Sequence, residues 1–329
     1  MHPRFLELLR CPRTGEPLTL SASRARANGT VLEGELKSAS GAAYPIVRGV
    51  PRFVTAESYA ASFGTQWNRW PRIQFEAENT NGPMAGHTTR MWETVTGRPG
   101  GLNGARIVEF GCGSGRFLDV VERRGGLAVG LELSSAVEAA ASNFVDRPDV
   151  LVVQGDLLTP PFRTGAFDGG YSIGVLHHTP EPARGLGELA RVVRSGGWVA
   201  CCVYPKKSFY DSRALRNMRW LHRHLPGGSA RRFASAYAWF SARLLAPAMW
   251  APERIPLVKS LARLVRKKAF PWLTLPSAAW RELDMYDAIT PAIATTHGSA
   301  ELAAWFAAAG CKDLQPTPWG AASAVAIRA

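Results

Sequence analysis

Three glycines stand within five residues of the stretch VEFGCGSGRF, which covers residues 108–117. Gly111, Gly113 and Gly115 carry no Cβ, so the main chain can turn sharply there and approach a ligand closely. A phosphate-binding P-loop would continue with Gly-Lys-Ser or Gly-Lys-Thr, and the dinucleotide fingerprint needs its third glycine where Arg116 stands. The spacing therefore indicates a small-ligand loop of another kind and makes NAD the second choice.

Two carboxylates follow the glycine loop at positions suited to an adenosine. Glu132 lies 21 residues after Gly111, in the apolar run LAVGLEL, where a carboxylate can accept both hydrogen bonds from a ribose diol. Asp156 stands in the run VVQGDLL, where its carboxylate or the next amide can reach an adenine edge. The pattern predicts a ligand that contains adenosine. It lacks the features that would bind a pyrophosphate strongly.

Candidate bases lie farther along the chain. His177 and His178 end the stretch FDGGYSIGVLHH, and an imidazole there can accept a proton near neutral pH. The alternative is that one histidine orients a loop through a backbone hydrogen bond while the other faces solvent. Tyr286, Asp287 and His297 belong to the stretch MYDAITPAIATTHGS, and a role for any of the three as a base is a hypothesis that rests on position alone.

These residues require a scaffold of parallel strands. Between Ala105 and Tyr204, apolar strand-like runs alternate with helical patterns, which is typical of parallel pairing with right-handed crossovers. We therefore predict an α/β, doubly wound, Rossmann-like sheet whose first strand-to-helix turn is the glycine loop, beside the switch point where such folds bind ligands. The predicted domains are a small β-rich N-terminal module (1–54), a helical segment (55–104), the core (105–204), a basic helical insert (205–285) and the last part of the core (286–329).

In this order and spacing the motifs resemble the class I S-adenosylmethionine-dependent methyltransferases, especially the small-molecule group that includes the ubiquinone and menaquinone C-methylases. The resemblance covers residues 105–204 closely and the last helix and strands loosely. It implies a seven-stranded methyltransferase sheet, S-adenosylmethionine as cofactor, S-adenosylhomocysteine as product, and no metal. The resemblance also implies which residues contact each part of the cofactor. Glu132 would bind the ribose, and Ser172 and Ile173 would lie along the methionine moiety. The adenine would contact Leu133, Asp156 and Leu157, and the amino acid part would contact Glu109, Gly111, Cys112, Gly113 and Gly115.

The first residues of the chain invite a second comparison. The stretches LLRCPRTGEPL and GAAYPIVRGVPRFV look like the Trm112-like zinc-ribbon module, whose pattern places a cysteine pair at each end. Only Cys11 is present, and Thr14, Lys37 and Ser40 stand where the other ligands would fall. Structural zinc needs four N, S or O donors, so we expect a metal-free module that packs against the core or a partner.

The positive charge of the chain, +13 in total, comes from one segment. Residues 201–270 carry 15 Lys or Arg against Asp211 and Glu253, and the rest of the chain carries 24 residues of each sign. The aromatic residues interleaved with these cations include Phe209, Tyr210, Trp220, Tyr237, Trp239, Phe240, Trp250 and Trp272. Such helices can form a substrate lid over an apolar cavity, or bind an anionic membrane surface or acidic ligand. Nucleic acid and a merely solvated hairpin are the competing interpretations.

Composition and missing motifs narrow the function. Apolar residues make up 46% of the chain and charged residues 20%, which is ordinary for a globular protein. We expect no signal peptide or membrane span, free rather than paired cysteines, and a cytoplasmic address, with peripheral membrane attachment left open. The Asn/Asp-Pro-Pro-Tyr/Phe loop and the Pro-Cys nucleophile of nucleobase methylation are missing. The prediction is an enzyme that methylates a small apolar molecule at O, N or C; an RNA-directed methyltransferase and a non-catalytic cofactor-binding protein are the alternatives.

Overall fold

A computed structural model describes residues 1–55, 58–269, 275–319 and 322–329 of the chain, and its strands form two sheets. The first sheet contains β1 (Leu18–Ala25), β2 (Val31–Ser38), β3 (Ala43–Val47) and β4 (Val50–Pro51). The second contains β5 (Arg106–Phe110), β6 (Leu127–Glu132), β7 (Val150–Gln154), β8 (Phe167–Ile173), β9 (Val193–Cys202), β10 (Cys311–Pro316) and β11 (Ser323–Arg328).

The described α-helices lie before, between and after the strands of the second sheet, and a π-helical segment over Ser241–Leu245 joins the seventh helix to the eighth. They are α1 (Ala61–Arg69), α2 (His87–Thr96), α3 (Arg116–Arg123), α4 (Ala136–Asn143), α5 (Pro182–Val192), α6 (Arg213–His224), α7 (Gly227–Phe240), α8 (Ala246–Trp250), α9 (Lys259–Ala269), α10 (Ala278–Ile289) and α11 (Ser299–Ala308).

The second sheet has seven strands in the order β10-β11-β9-β8-β5-β6-β7. Strands β5 to β9 are parallel, and β11 runs antiparallel to both β9 and β10. The chain moves outward from β5 to β7 and then returns to β8 on the other side of β5, so the switch point lies between β5 and β8. The predicted doubly wound α/β sheet is confirmed.

The sheet is covered on both faces, as a parallel sheet requires. Successive residues of β5 point to opposite sides because side chains alternate along a strand. Ile107 packs in the cluster that contains Trp92 of α2, and Val108 packs in the cluster that contains Leu186 of α5. All five cysteines are free thiols, and three of them are buried.

The N-terminal sheet is an antiparallel meander that closes one edge of the large sheet. The Phe53 amide donates to the carbonyl of Gln154, at the end of β7, at 2.8 Å. The Arg52 guanidinium donates to the side chain of Gln154 at 2.9 Å and to the Glu138 carboxylate at 2.7 Å. These contacts pair main-chain groups at an edge strand that would otherwise be open to another chain.

Hydrogen bonds join the two ends of the N-terminal module where a zinc ribbon would hold its metal. The Glu16 carboxylate accepts from the Ser40 hydroxyl at 2.6 Å, the Ser40 amide at 3.1 Å and the Thr14 hydroxyl at 3.0 Å. These bonds, that of the Ser40 hydroxyl first, lower the pKa of Glu16. Cys11 is buried with its Sγ 3.2 Å from the hydroxyl of Tyr44. Among the residues described, no group of three or more His, Cys, Asp or Glu could hold a metal ion.

Helices α6 to α10 stand between β9 and α11 and have a core of their own. Ala234 and Ala238 of α7 are fully buried, and their small side chains let α7 pack closely on Met285 and Ile289 of α10. Buried residues of α10 occur both before and after residue 285. The predicted end of the insert, at residue 285, therefore falls inside a helix. Trp272 lies outside the described residues. No helix in the described part of the chain is long and apolar enough to cross a membrane.

Candidate functional site

A cavity of about 370 Å³ lies at the carboxyl ends of β5, β6 and β8, and this volume is typical of small-ligand sites. The glycine loop and the turns after β6, β7 and β8 form one side of the cavity, and residues of α1 and α10 form the other. The carboxyl ends of parallel strands meet at one edge of a sheet, so side chains distant in sequence come together here.

The glycine loop adopts backbone angles that favour glycine. φ is +81° at Gly111 and +54° at Gly113, and both residues line the cavity. A Cβ would lie 2.4 Å from a methyl group of Val175 at Gly111, and 2.7 Å from the indole nitrogen of Trp67 at Gly113. The protein's own side chains therefore exclude a Cβ at both positions, and the loop conformation is fixed by packing as well as by any need to approach a ligand.

Glu132 fastens the glycine loop to the end of β6. Its Oε2 accepts from the Gly113 amide at 3.0 Å, and its Oε1 accepts from the amide and hydroxyl of Ser134 at 2.9 and 2.7 Å. Burial is the main influence on the pKa of Glu132 and raises it, against the hydrogen bonds from Ser134 and Gly113. An ionised carboxylate has about four acceptor positions, so one remains on Oε2 of this cavity-lining residue.

Glu109 lies at the base of the same cavity, next to last in β5. It is buried, and its Oε2 accepts from the hydroxyl of Tyr171 at 3.1 Å. Burial raises the pKa of Glu109 well above its ordinary range, while Tyr171 and Arg116 act in the opposite direction. Cys112 also lines the cavity, and burial raises the pKa of its sulfur, which is therefore a thiol and a poor nucleophile.

The structure separates the remaining predicted cofactor residues into two groups. Leu133, Leu157 and Ile173 line the cavity and give this side of it an apolar surface. They follow or end strands β6, β7 and β8. Their positions suit an adenine and a methionine chain.

Gly115, Asp156 and Ser172 do not line the cavity. Gly115 has φ +91°, and a Cβ there would lie 2.4 Å from the ring of Phe144. The Asp156 carboxylate accepts from the main-chain amide of the second residue after it at 2.9 Å. The Ser172 hydroxyl donates to a main-chain carbonyl of β5 at 3.0 Å. Phe144 thus fills the space where a Cβ of Gly115 would lie, and main-chain groups of the protein bind the side chains of Asp156 and Ser172. The sequence pattern alone does not reveal how these groups are oriented.

The candidate bases also differ in position. His178 lines the cavity, and its Nδ1 lies 2.8 Å from the carbonyl of Ile293, so Nδ1 carries the proton and Nε2 is an acceptor. Burial lowers the pKa of His178. His177 does not line the cavity; its ring packs 3.8 Å from that of Tyr204, and burial lowers its pKa well below the ordinary range. Tyr286 is buried against an indole ring and does not line the cavity either.

Helix α10 brings a pair of acids to the cavity, of which the sequence analysis identified only Asp287. From residue 280 to residue 290 every side chain is buried except Asp284 and Asp287, and both line the cavity. They stand three positions apart, which places them on one helix face. Asp287 accepts from the hydroxyl of Tyr204 at 2.9 Å. No described residue donates a hydrogen bond to Asp284. Two acids three apart in an otherwise apolar helix face are the signal that could have revealed the pair.

Arg116 faces this acid pair from the start of α3. The pKa of Asp284 is raised to about 7, chiefly by burial and then by the neighbouring Asp287, while Arg116 acts in the opposite direction. Burial lowers the pKa of Arg116 to about 10, so the guanidinium remains charged at neutral pH. No ion pair among the described residues includes Arg116. Among the described residues, the cavity therefore holds a cation that forms no ion pair and an acid that accepts no hydrogen bond, an arrangement common in functional sites.

Three buried polar atoms at the cavity have no hydrogen-bond partner among the described residues. They are Oε1 of Gln66, Oε1 of Gln74 and Nε2 of His178. All three residues line the cavity. Buried polar atoms in native proteins are almost always paired, so the site suits a ligand with several hydrogen-bonding groups.

Aromatic side chains surround the end of the cavity near α10. Tyr204 and Tyr210 stack with ring centroids 3.7 Å apart. His87 contacts Trp280 at 5.1 Å and Trp319 at 5.5 Å, edge to face, and burial lowers its pKa to about 4. These residues come from four distant segments, so no local spacing could have grouped them. The cavity has a polar end at the glycine loop and an aromatic end at α10.

Residues 108–201 match the family described as a methyltransferase domain. A ubiquinone biosynthesis O-methyltransferase of Alkalilimnicola ehrlichii is 28% identical over 172 residues, which cover 51% of this chain and 68% of that protein. A demethylmenaquinone methyltransferase of Corynebacterium kroppenstedtii is 29% identical over 38% of this chain and 53% of that protein. A 2-methyl-6-phytyl-1,4-hydroquinone methyltransferase of Oryza sativa is 35% identical over 35% of this chain and 34% of that protein.

Among solved structures, a methyltransferase of Thermotoga maritima described as a possible histamine N-methyltransferase is similar with a TM-score of 0.43 and 15% identity, over 82% of this chain and 98% of that one. The match to the curated relatives is shorter. The chain spans 68% of the first relative's length and 53% and 34% of the other two. The family match, over residues 108–201, extends from β5 to β9 of the large sheet and does not reach β10 and β11.

Proposed function

We propose, from the premise that residues 108–201 are a class I S-adenosylmethionine-dependent methyltransferase domain, that the protein transfers a methyl group to a small apolar molecule. One observation carries the proposal. Gly113 of the glycine loop and the ribose-binding candidate Glu132 lie at one end of a single cavity. The other end of the same cavity is aromatic and carries two carboxylates. A cofactor and an acceptor can therefore lie side by side and away from water, as direct transfer requires.

The polar end of the cavity fits S-adenosylmethionine. Glu132 retains an acceptor for a ribose hydroxyl, and the unpaired side-chain oxygens of Gln66 and Gln74 can accept from an ammonium or an amine. Arg116 offers a positive charge to the carboxylate of the methionine part, and the Glu109 carboxyl offers an acceptor to its ammonium group. When bound, S-adenosylmethionine supplies an electrophilic methyl group and leaves as S-adenosylhomocysteine.

The adenine would lie on apolar residues at the ends of β6 and β7. Leu133 and Leu157 line the cavity there, and so does Gly155. The Asp156 carboxylate is turned into its own loop, so main-chain groups of this loop, rather than that carboxylate, would meet the adenine edge. We keep Cys112 and Ile173 as contacts of the methionine part, and assign Gly115 and Ser172 to holding the loop and strand in place.

The aromatic end would hold the acceptor. Asp284 is the favoured base, because its carboxyl has no hydrogen-bond donor among the described residues and its pKa of about 7 suits proton removal at neutral pH. His178 is the second candidate, since Nε2 is free to accept a proton. Asp287, held by the Tyr204 hydroxyl, would fix the helix face from which Asp284 acts. These residues orient the acceptor, exclude water and take up its proton.

The names of the relatives favour an acceptor with a ring. They include methyltransferases of ubiquinone biosynthesis, of demethylmenaquinone and of a phytyl hydroquinone. A flat apolar ring with a hydroxyl group would suit the cavity end formed by Tyr204, Tyr210 and Trp280. We also propose a cytoplasmic location, with the basic insert as a lid that meets an anionic surface. Methylation of RNA and cofactor binding without catalysis are the less favoured alternatives.

Calorimetric titration tests the cofactor, and a transfer assay tests the acceptor. Wild-type protein should bind S-adenosylmethionine and S-adenosylhomocysteine but not NADH. Labelled methyl groups should then pass to one of a panel of small quinols and phenols, and Asp284→Asn should lower that rate while leaving affinity for S-adenosylhomocysteine unchanged. Asp211→Asn, at a half-buried acid outside the cavity, is the matched control. Binding of NADH alone, or transfer only to total RNA, would overturn the proposal.

A further inference from the structure

The large apolar side chains that reach solvent are concentrated in one part of the molecule. Twelve large apolar side chains are recorded as exposed in the described structure, and ten of them belong to residues 220–264. The other two, Val47 and Val145, stand apart in the sequence. Single exposed apolar residues are ordinary, but a concentration of them marks a surface that meets another phase or partner.

The concentration is greatest at the start of α9. Leu257 is 96% exposed, Leu261 64% and Leu264 50%. Leu261 and Leu264 stand three positions apart in α9, on one side of the helix, and Leu257 lies in the turn directly before it. Ile255 and Val258 beside them are exposed too. We call these five residues the α9 face.

The α9 face is directed away from the body of the protein. Helix α9 packs chiefly on the short helices before it, α8 and the turn over Ala251–Arg254. It makes no comparable contact with the sheet or with α10. The apolar residues of this helix are therefore not part of the core of the insert, whose buried members come from α6, α7, α8 and α10.

The surroundings of the α9 face are strongly basic. The segment from residue 201 to residue 270 holds 15 cations and two acids. Both acids are already paired, Asp211 with Arg216 at 3.1 Å and Glu253 with Arg263 at 3.5 Å. Lys259 lies within the face, and the sequence continues with Arg266, Lys267 and Lys268. Exposed leucines in such a basic segment are typical of helices that lie in a membrane interface.

We propose that the α9 face docks on an anionic lipid bilayer, with helix α9 lying in the plane of the interface. In this arrangement the helix lies on the bilayer and does not cross it, because no helix in the described ranges can span a membrane. The negative charge of the lipid headgroups complements the cations, and the acyl chains accept the exposed leucines. The bilayer is favoured over nucleic acid, since phosphate contacts would not cover Leu257 and Leu261.

Helices α7 and α10 connect the exposed surface of the insert to the cavity. Helix α7 and the π-helical segment pack on α10 through buried alanines, while Trp239, Phe240 and Leu244 are exposed on them. Helix α10 in turn lines the cavity with Asp284. Exposed apolar residues of the insert and the cavity-lining residues of α10 thus belong to helices that are in direct contact. The use of the docking surface rests on the proposed function, but the docking itself does not require methyl transfer.

Vesicle flotation tests the docking directly. Wild-type protein should float with vesicles of phosphatidylcholine and phosphatidylglycerol at least tenfold more than with phosphatidylcholine alone, and raised salt should release it. The combined substitutions Leu257→Ser, Leu261→Ser and Leu264→Ser should reduce flotation at least tenfold. Val145→Ser, at a residue 48% exposed outside the insert, should leave it unchanged.

Two further measurements keep the outcomes separate. Titration with S-adenosylhomocysteine should give the same affinity for the triple variant and the wild type, which shows that the site is folded; lost vesicle binding with kept affinity supports the docking. Equal flotation of both proteins overturns the docking proposal.

Two other results would also overturn it. If wild type binds duplex RNA and the triple variant does not, the face binds nucleic acid. If wild type is a dimer and the triple variant is a monomer, the face binds a second copy of the chain. If wild type binds vesicles but not S-adenosylhomocysteine, the proposed function fails while the docking stands.

Discussion

The main-chain amide of Gly113 donates a hydrogen bond of 3.0 Å to the carboxylate of Glu132. This bond joins the first strand-to-helix turn of the large sheet to the end of the neighbouring strand. The two sequence features that indicated an adenosine ligand are therefore one physical unit. A change at either residue should alter the other, so their effects on cofactor affinity should not be additive.

Glu132→Gln should weaken binding of S-adenosylhomocysteine about tenfold to a hundredfold. The glutamine keeps the size of the side chain but loses the charge and sets an amide donor against the donors of Gly113 or Ser134. Hydrogen bonds to a charged group contribute about 1.5 to 3 kcal/mol, which gives this range. Isothermal titration calorimetry measures it. Glu35→Gln, on the exposed side of the N-terminal module, is the control, and an affinity within twofold of wild type would remove Glu132 from the ribose site.

Gly113→Ala should disturb the site more than an equally strained glycine substitution elsewhere. Gly113 has φ +54° and its Cβ would lie 2.7 Å from Trp67, whereas Gly125 has φ +77° and nothing within 4 Å. Both alanines pay a strain of about 1 to 2 kcal/mol for the left-handed backbone. Only Gly113→Ala must displace the indole, so only it should lose affinity for S-adenosylhomocysteine by more than tenfold. Equal losses in the two variants would mean that strain alone explains the effect.

Local patterns predicted the scaffold and the polar end of the cavity. The alternation of apolar strands and helices is sufficient for a doubly wound sheet, because parallel strands need covered faces and helical crossovers. The glycine loop and Glu132 could be placed because they occupy fixed positions at consecutive strand ends. Both kinds of signal depend only on residues near one another in sequence.

The aromatic end of the cavity could not be predicted in the same way. Asp284, His87 and Trp280 reach it through the packing of the insert and of α2 on the sheet, and that packing leaves no local spacing. Ser172 shows a second limit, since its place in β8 could be predicted but its hydroxyl turns to a main-chain carbonyl of β5. Choices between a ligand and a backbone partner depend on tertiary distances.

Removal of metal should leave the N-terminal module intact. The ends of that module are joined by the Glu16 carboxylate and the hydroxyls of Ser40 and Thr14, so overnight treatment with EDTA should not lower the melting temperature. Glu16→Ala should lower it, because two loops lose their shared acceptor. Glu7→Ala, another exposed acid, is the control. A melting temperature that falls with EDTA and recovers with zinc would show that a metal, rather than this network, holds the module.

The network around Glu16 also predicts a dependence on pH. Folding lowers the pKa of Glu16, so its contribution to stability is present above the ordinary pKa of a glutamate and is lost as the pH falls through the folded value. The difference in melting temperature between wild type and Glu16→Gln should therefore shrink in acid. A difference that stays constant between pH 7 and pH 3 would contradict the hydrogen bonds seen at this carboxylate.

Asp284→Asn should change how the free energy of unfolding varies with pH. The pKa of Asp284 is raised from 3.8 to about 7, so between these values the folded protein keeps a proton that the unfolded chain has released. Wild-type stability therefore falls as the pH rises through this window. Asparagine does not titrate, so the variant should gain stability relative to wild type from pH 4 to pH 7 and no more above it. Urea unfolding at several pH values measures the difference. Asp211→Asn should show no such rise, and a flat difference for Asp284→Asn would mean that this carboxyl is ionised in the folded protein throughout.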